Sequence, residues 1–186
     1  MSLNDCSHIL VFAQSDGRNL SPPTLQVLGK ARELADQLGV YVLGLLCGED
    51  ISPLGKEMIA FGADRAILAE HSGFRTYETL PFTECLIRTI ERERPEIVLF
   101  GSNPVTWDLA PRAAQRLGTG LVSECAGLAI DTEERLLVCT RTYYGGRLAA
   151  ELVMPKHRPQ MAILKAGSFV EPFRDDFREG NVERVS

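Results

Sequence analysis

Short apolar runs alternate with longer stretches in which apolar residues recur every three or four positions. Residues 9–13, Ile-Leu-Val-Phe-Ala, are continuously apolar, as a strand covered on both faces requires. A polar loop at 14–20 turns at Asp16-Gly17, and Ser21-Pro22-Pro23 places a capping hydroxyl and prolines where a helix begins. Leu25, Leu28, Ala31, Ala35 and Leu38 then share one helical face, which Gly39 terminates. The unit repeats: strands at 40–47, 65–69 and 97–100, with helices at 51–61, 79–94 and 108–117. Gly62 and Gly118 close the first and last of these helices, and Leu86, Ile87 and Ile90 face inward from the middle one. Strands and helices at this spacing imply βαβ crossovers and a parallel sheet.

After Gly120 the texture changes. Segments 121–125, 127–130, 136–143, 148–154 and 161–164 are strand-like with little helix between them, and polar turns lie at 131–134 and 144–146. The expected architecture is a three-layer αβα domain. Its sheet is mainly parallel and doubly wound in the order 3-2-1-4-5, extended by antiparallel strands in the C-terminal third. Residues 1–170 form this domain, and the polar stretch 171–186 reads as a linker or tail.

Composition narrows the functional classes. Apolar residues make up 45% of the 186 positions, enough to bury a full core, and the net charge is −5. No basic stripe suits nucleic acid, and Lys156-His157-Arg158 before Pro159 reads as a solvated turn. No apolar run reaches the roughly 18–20 residues that span a bilayer. The start, Met-Ser-Leu-Asn-Asp, has neither feature of a secretory leader, so the cytoplasm is the expected compartment and membrane insertion is not expected. The five cysteines form no Cys-x-x-Cys pair and read as small buried side chains, and the three histidines lack partners at metal-ligand spacing.

The glycine-rich phosphate loops, the nucleophile elbow and the His-Glu-x-x-His zinc motif are all missing, so no catalytic residues are assigned. An open α/β sheet still offers a crevice where strand order reverses. Its candidate lining is Gln14, Asp16 and Gly17 from one loop and Gly101, Ser102, Asn103 and Thr106 from the other. The second loop opens a helix whose N-terminus can attract an anion, whereas Asp108, at the expected cap, complements the helix dipole and repels phosphate. Arg112, four residues on, fits an intrahelical pair with Asp108 or an acidic partner. Trp107, the sole tryptophan, is an interface anchor or packs over its own helix end. Arg141, at a strand end, and Tyr143-Tyr144-Gly145-Gly146 are the remaining interface candidates; the last four also make sense as a plain hairpin turn.

In order, several segments resemble the electron transfer flavoprotein alpha-subunit family in its N-terminal, adenine nucleotide alpha hydrolase-like domain. They are 9–14 (Ile-Leu-Val-Phe-Ala-Gln), 20–25 (Leu-Ser-Pro-Pro-Thr-Leu), 61–65 (Phe-Gly-Ala-Asp-Arg) and 108–112 (Asp-Leu-Ala-Pro-Arg). Segments 116–122 (Arg-Leu-Gly-Thr-Gly-Leu-Val) and 141–146 (Arg-Thr-Tyr-Tyr-Gly-Gly) follow. Where the family usually has Gly-Arg before Asp-Leu-Ala-Pro-Arg, this chain has Thr106-Trp107, so that arginine has no counterpart. The resemblance implies a non-catalytic electron-carrier component that pairs with a beta subunit. It implies FAD in a second alpha-subunit domain downstream of Ser186, and AMP or a second FAD in the beta subunit, with none of them bound to these residues. Flavin dehydrogenases on one side and a quinone oxidoreductase or other acceptor on the other are the implied redox partners. The competing expectation is a stand-alone AMP- or ATP-binding protein of the universal-stress-like α/β class.

Overall fold

The computed structural model describes residues 6–185, so the leader reading at residues 1–5 lies outside the described residues. The elements run β1 Ile9–Ala13, α1 Pro22–Leu38, β2 Val42–Gly48, α2 Leu54–Ala60, β3 Arg65–Glu70, α3 Thr79–Glu93, β4 Ile97–Gly101 and α4 Pro104–Leu117. Then come β5 Leu121–Asp131, β6 Leu136–Tyr143, β7 Leu148–Leu152, β8 Gln160–Leu164 and β9 Asn181–Val185. One nine-stranded sheet results, ordered β7-β6-β5-β8-β4-β1-β2-β3-β9. Helices α1 and α2 cover one face, where Leu28, Ala31, Leu34 and Met58 meet Val11, Leu46 and Leu99. Helices α3 and α4 cover the other, where Leu86, Ile90, Leu109 and Ala113 meet Leu10, Leu45 and Phe100. This is the expected three-layer αβα fold.

Four details depart from the sequence expectations, each for a physical reason. First, the position beside β4 is taken by β8 rather than by the fifth strand in sequence. All five residues of β8 are buried, whereas burial along β5 is intermittent. A continuously apolar strand belongs inside a parallel sheet, and the half-exposed β5–β7 segment is left at its margin. Second, segments 121–125 and 127–130 are one strand, which pairs with β8 and then with β6 across an irregularity at Cys125/Gly127. Glu124 sits at this changeover in the left-handed region, with φ of 56°.

Third, α4 begins at Pro104, not at Asp108. Proline fits the first helical position because its missing N–H needs no partner there. Asn103 is the cap: its side chain accepts from the Thr106 N–H at 3.1 Å, and the Thr106 hydroxyl accepts from the Asn103 N–H at 3.2 Å. Helix α1, by contrast, does start after Ser21, yet the Ser21 hydroxyl bonds the Thr24 hydroxyl at 3.0 Å instead of capping the backbone.

Fourth, the stretch read as a tail is tied to the core, and its residues 181–185 add a parallel strand, β9, beside β3. Pro172 packs on Gly29, where even a methyl group would lie 3.0 Å from the proline ring. The Asp175 N–H reaches the Ala60 carbonyl at 2.9 Å. Arg178 donates to Asp64 at 2.7 Å, and Asp64 also accepts from Arg32 and from the Val42 N–H, both at 2.7 Å. The Phe61-to-Arg65 segment is thus a structural clasp: Gly62 supplies a φ of 117°, and Arg65 pairs with Glu93 and Glu183. No disulfide is present among the described residues, and Cys125 and Cys139 are fully buried.

Candidate functional site

The crevice expected at the switch in strand order lies between the loops after β1 and β4, and the chain's own side chains fill it. Gly101, the last residue of β4, lies against the first turn of α1. A Cβ at that position would approach Pro23 Cβ to 2.7 Å and the Pro23 carbonyl carbon and oxygen to 3.1 Å. The Asn103 side-chain amide donates across the gap to the Gln14 side-chain oxygen. Thr24 holds Gln14 from below, accepting its N–H at 2.8 Å and donating to its carbonyl at 3.2 Å. The buried Thr106 hydroxyl donates to the Gly101 carbonyl at 2.6 Å. Polar groups that would meet a nucleotide are therefore satisfied by one another.

Gln14, Gly101, Asn103 and Thr106 converge in this way, with Ser102 beside them. Asp16 and Gly17 do not join them. They form an exposed turn in which the Asp16 carboxylate accepts from the Arg18 and Asn19 N–H groups, both at 2.8 Å. Those bonds, Asn19 foremost, hold the Asp16 carboxyl below its ordinary value.

Beside the filled crevice, α4 presents an outward face. Trp107 is 56% exposed, and its indole N–H donates to Ser102 Oγ at 2.9 Å. The Ser102 hydroxyl donates in turn to Glu124 at 2.9 Å. The ring is thereby held at its N–H edge while more than half of the residue is exposed, an arrangement suited to an interfacial anchor. Pro111 lies one turn further along the same exposed face, and the exposed Leu80 of α3 lines the shallow cleft between the two helices together with Arg112.

Asp108 ties α4 to the start of α3. Its carboxylate accepts from the Tyr77 and Thr79 hydroxyls, both at 2.7 Å, and from Arg112 at 2.8 Å. The Thr79 bond, then Arg112 and Tyr77, lower its carboxyl from 3.8 to about 2. The expected Asp108–Arg112 pair is present, and it leaves Arg112 56% exposed at its side chain. Partial burial, then the bond to Asp108, raises the Tyr77 hydroxyl above its usual range.

The third group stands on the β6–β7 hairpin. Arg141 pairs with Cys125, the neighbour of Glu124, and its guanidinium lies 5.2 Å from the Tyr143 ring centre. This is a cation–π distance. Tyr144, Gly145 and Gly146 follow with φ of 51°, 66° and 89°, a left-handed run that explains the two glycines. Tyr144 is 82% exposed. The motif is both a tight turn and a projecting aromatic tip.

Glu124, Tyr77, Thr79 and Leu80 carry no signal in the sequence: Glu124 stands 22 positions from Ser102, and Tyr77 and Thr79 stand 31 and 29 positions from Asp108. Only the Asp108–Arg112 spacing was readable directly. Among the described residues no cluster of His, Cys, Asp and Glu is suited to a metal, and no helix is long and apolar enough to cross a membrane.

Comparison with known proteins bears on this arrangement. The electron transfer flavoprotein domain model matches residues 9–186. The electron transfer flavoprotein subunit alpha of Thermoanaerobacterium thermosaccharolyticum is 38% identical over 180 residues, covering 97% of this chain and 54% of the relative. The protein of the same name from Clostridium acetobutylicum is 34% identical over 188 residues, covering 100% of this chain and 56% of the relative. Protein FixB of Clostridium saccharobutylicum is 34% identical over 185 residues, with 100% and 55% covered. The chain thus spans about half the length of the curated relatives it matches. The adenine-nucleotide-binding alternative is not favoured by these matches. The chain belongs to the electron transfer flavoprotein family, as a relative of the alpha subunit in its N-terminal domain.

Proposed function

We propose that this domain supports assembly of an alpha–beta electron transfer flavoprotein and thereby flavin-mediated electron transfer between dehydrogenases and an acceptor such as a quinone oxidoreductase. It acts as a carrier component without chemistry of its own. FAD resides in the remaining half of the alpha subunit, and AMP or a second FAD in the beta subunit, in the cytoplasm. The observation that carries this reading is the family match over residues 9–186 in a chain whose switch-point crevice is filled by Pro23, Gln14 and Asn103. The exposed Trp107, Arg112 and Tyr144 supply anchors of the type that dominate interfaces, with the exposed Leu80 adding apolar surface beside them.

Sedimentation of this chain with its cognate purified beta subunit tests the assembly role. A heavier complex is expected, weakened about tenfold or more by Trp107→Ala or Tyr144→Ala if either ring is an anchor. Failure of the two chains to associate would refute it. Calorimetric titration with AMP and ATP tests the competing reading, and saturable binding of either by the isolated chain would favour that reading.

A further inference from the structure

Two cysteines far apart in sequence meet on the α3 side of the sheet. Cys47 lies near the end of β2, paired with Ala69 of β3, and Cys85 lies on α3 above it. The Cys47 thiol donates to Cys85 Sγ at 3.4 Å, so the two sulfurs are in contact with no atom between them. Both are half-buried, and Cys85 forms part of the wall of a solvent-open cavity of about 410 Å³. Arg88 and Arg92 stand at that cavity from the next turns of α3, with His71 and Glu84 also on its wall.

The two thiols are electrically unlike. Donation from Cys47, then a Thr89 hydrogen bond and the charges of Arg88 and Arg92, favour the Cys85 thiolate against the opposing effect of burial. The same thiol hydrogen bond, with burial, holds the proton on Cys47. Glu84, bound to Arg88 at 2.9 Å, and Glu93 and Glu183, bound to Arg92 at 2.7 and 3.0 Å, moderate the two cations. Cys125 and Cys139 form a second thiol pair, but both are fully buried, so they supply an internal comparison that lacks access.

We propose that Cys47 and Cys85 are a peroxide-reactive dithiol site, with Cys85 as the attacking sulfur and Cys47 as the resolving one. The Cys85 thiolate attacks one oxygen of hydrogen peroxide. The O–O bond breaks, and the departing hydroxide takes a proton from solvent to become water. Cys85 is now a sulfenic acid. Cys47 then attacks that sulfur, the S–S bond forms, and the hydroxyl leaves with the Cys47 proton as a second water. Two thiols lose two electrons, and one peroxide becomes two waters. A thiolate that is both accessible and placed beside cations reacts first, and a contacting thiol diverts it to a disulfide before further oxidation.

The experiment uses the full 186-residue chain in its native state. Cysteines are alkylated with limiting iodoacetamide and mapped by peptide mass spectrometry. Cys85 is expected to react at least about tenfold faster than Cys125 and Cys139. After hydrogen peroxide, a Cys47–Cys85 cross-linked peptide that dithiothreitol reverses is expected. In Cys47→Ala the product becomes a Cys85 sulfenic acid that dimedone captures. Equal labelling of Cys85 and the buried pair in the parent chain would overturn the proposal. So would peroxide oxidation of the parent that yields no Cys47–Cys85 cross-link. Neither reading depends on the variant folding.

Discussion

Replacing Gly101 by alanine places a single methyl group in the filled crevice. The new Cβ would lie 2.7 Å from Pro23 Cβ and 3.1 Å from the Pro23 carbonyl carbon and oxygen. Those atoms belong to the ring base and backbone in the first turn of α1, so no side-chain rotation relieves the contact; α1 or the end of β4 has to shift. Overpacking of this kind costs about 1–3 kcal/mol. The loss of glycine's freedom in the unfolded chain returns about 0.4–1 kcal/mol. Because the backbone and ring base cannot rotate away, the upper part of the overpacking range applies, about 2–3 kcal/mol. The expected net loss is therefore about 1–2.6 kcal/mol, which for a chain of this size lowers Tm by about 2–10 °C. Urea unfolding followed by circular dichroism, with calorimetry for Tm, measures it. A change within about 0.5 kcal/mol, the range of an unconstrained surface substitution, would refute the reasoning. It would mean that α1 yields readily and that the crevice can admit a ligand.

Three further outcomes are expected. Because the Asp108 carboxyl is held at about 2 against an ordinary 3.8, its ionised form stabilises the fold fully above pH about 4, and that contribution disappears as pH falls toward 2. Asp108→Asn should flatten this acid limb in a series of melts from pH 6 to about 2, and an unchanged acid limb would contradict the assignment. Gln160→Leu deprives the buried Leu137 N–H of its acceptor at 2.8 Å, while the Arg135 carbonyl keeps Arg158 at 3.0 Å. One orphaned donor should cost about 1–3 kcal/mol in denaturant unfolding. Asp64→Ala removes bonds to Arg32, Arg178 and the Val42 N–H and should cost about 2–3 kcal/mol. Hydrogen exchange should then rise across residues 173–185, and unchanged protection there would show that β9 is held without the clasp.

The parallel half of the fold was legible because its signals are local. Ile9–Ala13 and Ile97–Gly101 are continuous apolar runs, and Gly39 and Gly118 end their helices with φ of 65° and 63°. Locality also made the Asp108–Arg112 pair readable, since one helical turn joins the two residues. At the start of α4, Asp108 and Asn103 both carry cap-forming side chains, and the reciprocal bonds between Asn103 and Thr106, with the Thr106 hydroxyl donating to the Gly101 carbonyl at 2.6 Å, select Asn103. Likewise Ser102, Glu124 and Trp107 have no common sequence pattern, yet two hydrogen bonds link them.

The amino-acid sequence by itself determined the alternation of strands and helices up to residue 120, the three-layer αβα class, and the resemblance to electron transfer flavoprotein alpha subunits. Those properties follow from periodicity, turn chemistry and short motifs, all of which act over a few residues. Tertiary structure alone decided that β8 enters the sheet between β4 and β5, and that the polar stretch after 171 returns as β9. It also decided that Cys47 touches Cys85 and that Pro23 and Asn103 fill the crevice. Each of these is a contact between distant segments, chosen by which surfaces must be covered and which buried polar groups must find partners. That competition involves the whole chain at once, so no local pattern reports its outcome.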